Sequence, residues 1–413
     1  MTQRYDTYKD SGVQWLGDIP GHWGCVALSK VSDIILGKML QSETKKETDI
    51  LIPYICAKDV HFDGIDMSNL KTMYFSQSEM DMYEVRKGDM LIVEGGAGAG
   101  NCSILRNNVK NIGIQNSIMI VRSNADVINS YICYFMSSIV RRGYVNFITN
   151  IATIPHFTKE KVSRTYIPLP PLSEQRSIVS FLDAKCGKID EWVTKKQKEV
   201  EHLQELKQRV IADAVTRGLN PHVKMKATNI PWIKEIPGHW ECVPLKYFIE
   251  TKSGTAINVK ELDDKGTYPV YGGGSQIGFC NKYNCEESEI IVGRVGAKCG
   301  CVTFPNKKVW ATDNALIIKT NLYPRFTAFV LVAADLNRLN AATAQPLITG
   351  TKIKHVRIAL PPLSEQKQIV SYLDTKCSKI EKLIANINKE IERIKEYKQR
   401  LISDVVTGQI KVC

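Results

Sequence analysis

The chain repeats itself over a long period. The pentapeptide IPGHW at Ile19–Trp23 returns at Ile236–Trp240, and PPLSEQ at Pro170–Gln175 returns at Pro361–Gln366. The first pair is offset by 217 residues (236 − 19) and the second by 191 (361 − 170), so the first half carries 26 more residues between its anchors. Solenoid units run to about 20–50 residues. A period this long is instead a duplicated half: a variable globular region, then a repeated helix, then both again. Such a chain can fold with an internal pseudo-two-fold, and duplex DNA is the ligand most naturally matched to that symmetry.

Bulk properties fit this reading. A length of 413 residues suggests two to three domains. The net charge of +12 favours a polyanionic partner, nucleic acid being the commonest. No apolar run approaches the roughly 18 residues of a membrane span, and the N-terminal MTQRYDTYKDSG lacks the apolar core of a signal peptide, so a cytoplasmic location and no membrane partner are expected. The twelve cysteines are then expected as reduced thiols. Cys25 with Cys242, and Cys186 with Cys377, recur at equivalent positions and read as small core residues. Cys280, Cys285, Cys299 and Cys301 do not have the spacing of zinc fingers or ribbons, and no metal is expected.

After each PPLSEQ the pattern turns helical. Pro170-Pro171 and Pro361-Pro362 mark the entries, with Ser173 and Ser364 as candidate N-caps and Glu174-Gln175 or Glu365-Gln366 in the first turn. In the second copy apolar residues fall at Leu373, Cys377, Ile380, Ile384, Ile387, Ile391, Ile394, Tyr397 and Leu401, close to a heptad seam. The first copy gives Leu182, Cys186, Ile189, Val193, Lys196, Val200, Leu203, Leu206 and Val210. Lys196 breaks the pattern, and either fixes register or snorkels out at the rim. Each helix, about 45 residues and roughly 65 Å long before TRG at Thr216 or TG at Thr407, needs a partner along its narrow stripe. The other copy is the obvious one, antiparallel across a two-fold, so that the two helices form a coiled coil; the alternative is that each packs only on its own domain. Residues 218–232 read as a linker. Because SGVQWLGDIPGHW matches TNIPWIKEIPGHW, the end of the second helix is expected to return to the start of the first globular region.

Residues 24–168 and 241–359 lack long helical periodicity. They hold short β-rich runs at 90–93, 118–121, 290–292 and 315–318, with glycine-rich turns and a helical piece at 129–142. A mixed α/β (α+β) architecture fits. GDMLIV before Glu94 answers SEIIV before Gly293, and Gln115-Asn116 answers Asp313-Asn314; elsewhere the two regions differ, as two reading heads on one chassis would. EGGAGAG at Glu94–Gly100 has neither the lysine of a P-loop nor GxGxxG spacing, so it reads as a tight turn or a close approach to phosphate. Tyr271–Ser275 is similar. Arg294 and Lys298 are better placed by chemistry, since arginine reads guanine bidentately.

WLGDIPGHW, the PLPPLSEQ and ALPPLSEQ entries, the long helices and the closing VTRGL and VTGQI resemble the specificity subunit of type I restriction-modification systems, over essentially the whole chain. The resemblance implies a first target recognition domain at 1–169, a helical spacer at 170–217, a linker and second target recognition domain at 218–360, and a second spacer with tail at 361–413. It implies two heads that each bind one half of a split asymmetric site in double-stranded DNA. Paired helices would hold the heads apart and carry two methyltransferase subunits, joined by motor-nuclease subunits. S-adenosylmethionine, ATP and magnesium would belong to those partners, with no cofactor and no catalytic residue in this chain.

Two competing classes are an enzyme and a protein-only scaffold. No NPPY- or DPPY-type methylase motif, Walker A lysine or HExxH occurs, and His22 and His239 beside tryptophan suit packing or capping. A scaffold has no need of two different heads; a specificity subunit for a restriction system of another type stays open. Candidate DNA contacts are Lys38, Lys58, His61, Gln115 and Asn116 in the first head, and Lys252, Thr255, Ser275, Arg294, Lys298 and Asn314 in the second. The exposed faces of helices 173–216 and 364–407 are the candidate docking surface for the methyltransferase subunits.

Overall fold

A computed structural model describes residues 3–148, 156–296, 298–339 and 347–412. The chain forms two compact units, Met1–Lys195 with Glu390–Cys413, and Lys196–Lys389. The long helices, Leu172–Arg217 and Leu363–Val406, each contribute to both.

In the first unit an antiparallel sheet has the strand order Cys102–Ile104, Met90–Val93, Ile118–Ser123, Ser32–Leu36. A second sheet centres on Ile50–Ile55, paired antiparallel with Lys71–Phe75 and parallel with Gly113–Ile114. The second unit repeats this plan. Its four strands run Ile249–Ser253, Ala315–Thr320, Ile290–Gly293, Val302–Thr303. Tyr268–Gly272 lies between Ser275–Cys280 and the parallel Trp310–Ala311. Part of the extra length of the first half lies in the second sheet. Residues 56–70 carry a small hairpin where the second unit turns through Gly273-Gly274.

The apolar runs form strands because alternate residues serve two cores. Met90, Ile92, Met119 and Val121 pack beneath the helix Asn129–Arg141, while Leu91, Val93, Ile118 and Ile120 face the second sheet. The second unit divides Ile290 and Val292 from Ile291 in the same way. That double burial explains β-branched runs without a polar face.

Each unit also packs on the start of one long helix and the end of the other. Ile178 and Leu182 join Leu401, Val405 and Val406 around Trp23; Ile369, Leu373 and Cys377 join Ile211, Ala214 and Val215 around Trp240. The helices are therefore antiparallel in each unit. Both tryptophans are fully buried, worth about 4–6 kcal/mol each by area. Both helices end on a left-handed glycine, Gly218 and Gly408 (φ 74° in each), against that tryptophan. The C-terminus does return to the first globular region: Tyr8 Oη donates to the Gly408 carbonyl at 2.9 Å, and Lys411 N to that of Gln3 at 2.8 Å.

Several local expectations are corrected. Residues 218–232 are not merely a linker, because Met225–Ile230 pairs antiparallel with Ile233–Pro237, as Tyr8–Asp10 pairs with Asp18–Pro20. The helices begin at Leu172 and Leu363, so Ser173 and Ser364 lie inside the first turn and do not cap it. Leu182, Leu373, Ile380, Ile387, Ile391 and Leu401 are buried; Ile189, Val193, Val200, Leu203, Val210, Ile384 and Ile394 are half-buried. Leu206 and Tyr397 are exposed, against expectation. The inward positions are one residue on, at Lys207 and Lys398, because continuing the 4-3 alternation from Leu203 or Ile394 demands a step of four. Each lysine bonds an acid of the facing helix: Lys207 Nζ to Glu381 at 2.5 Å in one unit, Lys398 Nζ to Asp190 at 2.6 Å in the other. Lys196 turns out to Glu199 on its own helix at 2.8 Å. Cys186 and Cys377 are buried, and burial pushes the Cys186 thiol up to about 11.

Candidate nucleic-acid interface

Antiparallel order brings the loops after Leu36 and Val93 and those before Cys102 and Ile118 to one end of the first unit's four-stranded sheet. Backbone bonds tie them together. Lys38 N donates to Ile114 O (3.1 Å), Asn116 N to Lys38 O (2.8 Å), and Glu94 N to Ser117 O (2.8 Å). Gln115 N reaches Ile55 O (3.1 Å), which joins the segment bearing Lys58 and His61. Gly37 is required here, since a Cβ would stand 2.7 Å from the Gln115 backbone.

Of the five candidates in this unit, Lys58 and His61 are exposed, and Gln115 and Asn116 half-exposed. Lys38 is 7% exposed; its ammonium lies 2.5 Å from Glu79 and over the Phe75 ring. Burial works to raise the Glu79 carboxyl, but the Lys38 bond and the Ser76 amide hold it below its ordinary value. Lys38 thus ties loop to helix Gln77–Tyr83.

The second unit gathers its loops at the same end. Thr255 N donates to Ala311 O (3.0 Å) and Arg294 N to Asn314 O (3.0 Å). Arg294 Nη1 reaches Ser253 Oγ at 3.3 Å. A Cβ on Gly274 would stand 3.0 Å from the Lys298 carbonyl, so the turn bearing Ser275 packs on the loop bearing Lys298. Thr255, Ser275, Arg294, Lys298 and Asn314 therefore converge, with Thr255, Lys298 and Asn314 exposed. Lys252 stands apart: it lies within the strand, 3.6 Å from Glu289 and 3.3 Å from the Asn284 carbonyl.

The glycine-rich loops prove to be one element in two copies. Gly100 N donates to Val93 O and Gly300 N to Gly293 O, both at 2.8 Å; Gly96 and Gly296 are both left-handed (φ 81° and 75°), as are Gly100 and Gly300. This register moves the sequence alignment by one. Val93 answers Gly293, so Glu94 answers Arg294. Ile118 answers Ala315, so Gln115-Asn116 answers Thr312-Asp313 and not Asp313-Asn314. Short strands with few shared residues left that step illegible.

The model of the type I restriction modification DNA specificity domain matches residues 20–202 and again 237–393. The chain belongs to this family. The specificity subunit of the type I restriction enzyme MjaVIII of Methanocaldococcus jannaschii is 23% identical, over 95% of this chain and 94% of that one. The StySPI specificity subunit of Salmonella potsdam is 21% identical, over 95% and 90%. A chain solved in work on complex assembly and conformational transition of the type I R-M system shares the fold at a TM-score of 0.68 and 17% identity, covering 94% of this chain and 98% of its own length.

In this type I specificity chain, each matched stretch takes in one globular region and runs into a long helix. Its repeated motifs prove to be hinges of construction. Glu174 accepts the Tyr5 hydroxyl, Trp23 Nε1 at 3.1 Å and His22 Nε2 at 2.9 Å. Glu365 accepts Trp240 Nε1 at 3.0 Å and His239 Nε2 at 2.7 Å. Burial works to raise the Glu174 carboxyl, and its donors outweigh that and lower it. Gln175 and Gln366 each donate to the first proline carbonyl of the motif at 2.9 Å. The histidines thus join each domain entry to its helix. Among the described residues no cluster of three His, Cys, Asp or Glu is placed to hold a metal ion, and no helix is long and apolar enough to cross a membrane.

Proposed function

We propose that each specificity domain reads one half of a split, asymmetric DNA site, and that the helices set the length of the unread gap. The observation that carries this is the repeated loop platform: one backbone framework in both units, dressed with different side chains. Residues that differ on a shared frame are what two different half-sites require. Phosphate contacts from a chain of net charge +12 supply affinity, and base-edge contacts from loops supply sequence. In the first domain the contact set narrows to Lys58, His61, Gln115 and Asn116. In the second it comprises Thr255, Ser275, Arg294, Lys298 and Asn314.

The exposed faces of helices 173–216 and 364–407 carry two methyltransferase subunits, which bring S-adenosylmethionine to adenine. Motor-nuclease subunits join them and use ATP and magnesium. The relatives' names, specificity subunits of type I restriction enzymes, support that partnership. Chemistry on a stacked base requires flipping it out, a task for the methyltransferase. The test is co-expression with the neighbouring methyltransferase subunit in a methylation-free host, followed by sequencing for N6-methyladenine. Two short defined halves flanking a fixed undefined gap are expected; no sequence-selective methylation overturns the proposal.

A further inference from the structure

Once the loop register is fixed, one equivalent position carries opposite charge in the two units. Glu94 and Arg294 both follow the same sheet strand, and each donates its amide to the loop before the neighbouring strand (2.8 and 3.0 Å). Each also accepts from the strand-like segment beyond, Phe157 N on Glu94 O at 2.7 Å and Ile348 N on Arg294 O at 3.0 Å. The backbone of this residue is therefore pinned on both sides in both domains, while its side chain stands half-exposed at the end of the sheet.

Neither side chain is neutralised among the described residues. Among the described residues Arg294 makes one side-chain bond, to Ser253 Oγ, and no ion pair; its Nε is buried without a partner. The Glu94 carboxylate has no partner among them. The buried Arg294 Nε costs stability unless a ligand completes it. An unpaired carboxylate on a DNA-facing surface also repels phosphate, so affinity alone does not account for it. The base code does: arginine donates twice to guanine O6 and N7, and a carboxylate accepts from the cytosine N4 amino group.

We infer that this shared position is a base-reading residue in each domain, with Arg294 reading a guanine of one half-site and Glu94 a cytosine amino group of the other. The inference rests on the two-headed reading above and adds to it which residue reads and which base. Lys298, exposed four residues on, then faces phosphate beside Arg294, where the first domain has Gly98.

The test uses the full chain in complex with its methyltransferase subunit. Once the wild-type motif is mapped, each guanine is replaced in turn by 7-deazaguanine, which lacks the N7 acceptor, in oligonucleotides used as binding competitors. One guanine, in the half assigned to residues 241–359, is expected to show a loss of about five- to a hundredfold on replacement. Arg294→Met, which keeps much of the stem and removes every donor, is expected to abolish that penalty; Glu94→Gln is expected to relax one position of the other half only. A penalty that persists in Arg294→Met, a second half without guanine, or a complex that loses all DNA binding on this substitution each overturns the inference. A split motif that neither variant alters sinks the base-reading assignment and leaves the two-headed reading standing, whereas no split motif in wild type removes both.

Discussion

Glu174 and Glu365 occupy the same place in the repeat but hold unequal numbers of donors, which makes the domain entry a controlled experiment. Replacing Glu174 by alanine removes the acceptor of the Trp23 N–H, on a fully buried ring, and that of the hydroxyl of Tyr5, itself 8% exposed. Each buried donor that loses its acceptor costs about 1–3 kcal/mol, so Glu174→Ala costs about 2–6 kcal/mol. Glu365→Ala strands one such donor, Trp240 Nε1, because His239 is half-exposed and finds water; it costs about 1–3 kcal/mol. The gap of about 1–3 kcal/mol corresponds to roughly a five- to hundredfold difference in local opening. Amide hydrogen exchange reads each site separately, in peptides covering 16–30 and 172–182 for one variant and 233–247 and 363–373 for the other. Faster exchange at the first site in Glu174→Ala than at the second in Glu365→Ala is expected. Equal acceleration, or a larger effect at Glu365, would refute the donor-counting argument.

Further expectations follow from the same contacts. The Glu174 carboxyl lies below its ordinary value of 4.5, so its contribution is full above that value and is lost as pH falls through the lower folded-state value. The difference in thermal midpoint between wild type and Glu174→Ala should therefore narrow between pH 5 and the acid limit; a gap that widens contradicts it. Gly218→Ala and Gly408→Ala both meet a left-handed backbone, at about 1–2 kcal/mol each, but only at Gly408 does the new Cβ fall 2.3 Å from Pro20. Denaturant melts should rank Gly408→Ala as the more damaging. Lys398→Glu should lose the bond to Asp190, and adding Asp190→Lys should restore about 0.2–1 kcal/mol as a coupling in a double-mutant cycle. Lys298→Ala should lower the salt slope of DNA binding by about one without altering the methylated motif.

The duplication was legible because IPGHW and PPLSEQ are local strings, and the long helices because their apolar spacing is periodic over many turns. What these strings do was hidden, since the meeting of His22 and Trp23 with Glu174 spans about 150 residues and leaves no local pattern. The seam was readable to within one residue: Leu206 and Tyr397 fit a three-step as well as Lys207 and Lys398 fit a four-step, and hydrophobicity favoured the wrong one. Charge in a loop was a poorer guide still. Lys38 stands among loop residues in sequence but closes on Glu79, forty-one positions away, a pairing only the folded sheet creates. In the sequence Glu94 stood only as the start of the glycine-rich run Glu94–Gly100. Its significance emerges only when the backbone bonds give it the same place in its unit as Arg294 has in the other.

The central claim is that two independent heads share one ruler. The direct measurement is to replace residues 24–168 with the corresponding region of another specificity subunit, keep both long helices, and map N6-methyladenine again. One half of the motif should change while the other half and the gap between them stay fixed. A change in both halves, or in the gap, would contradict the account.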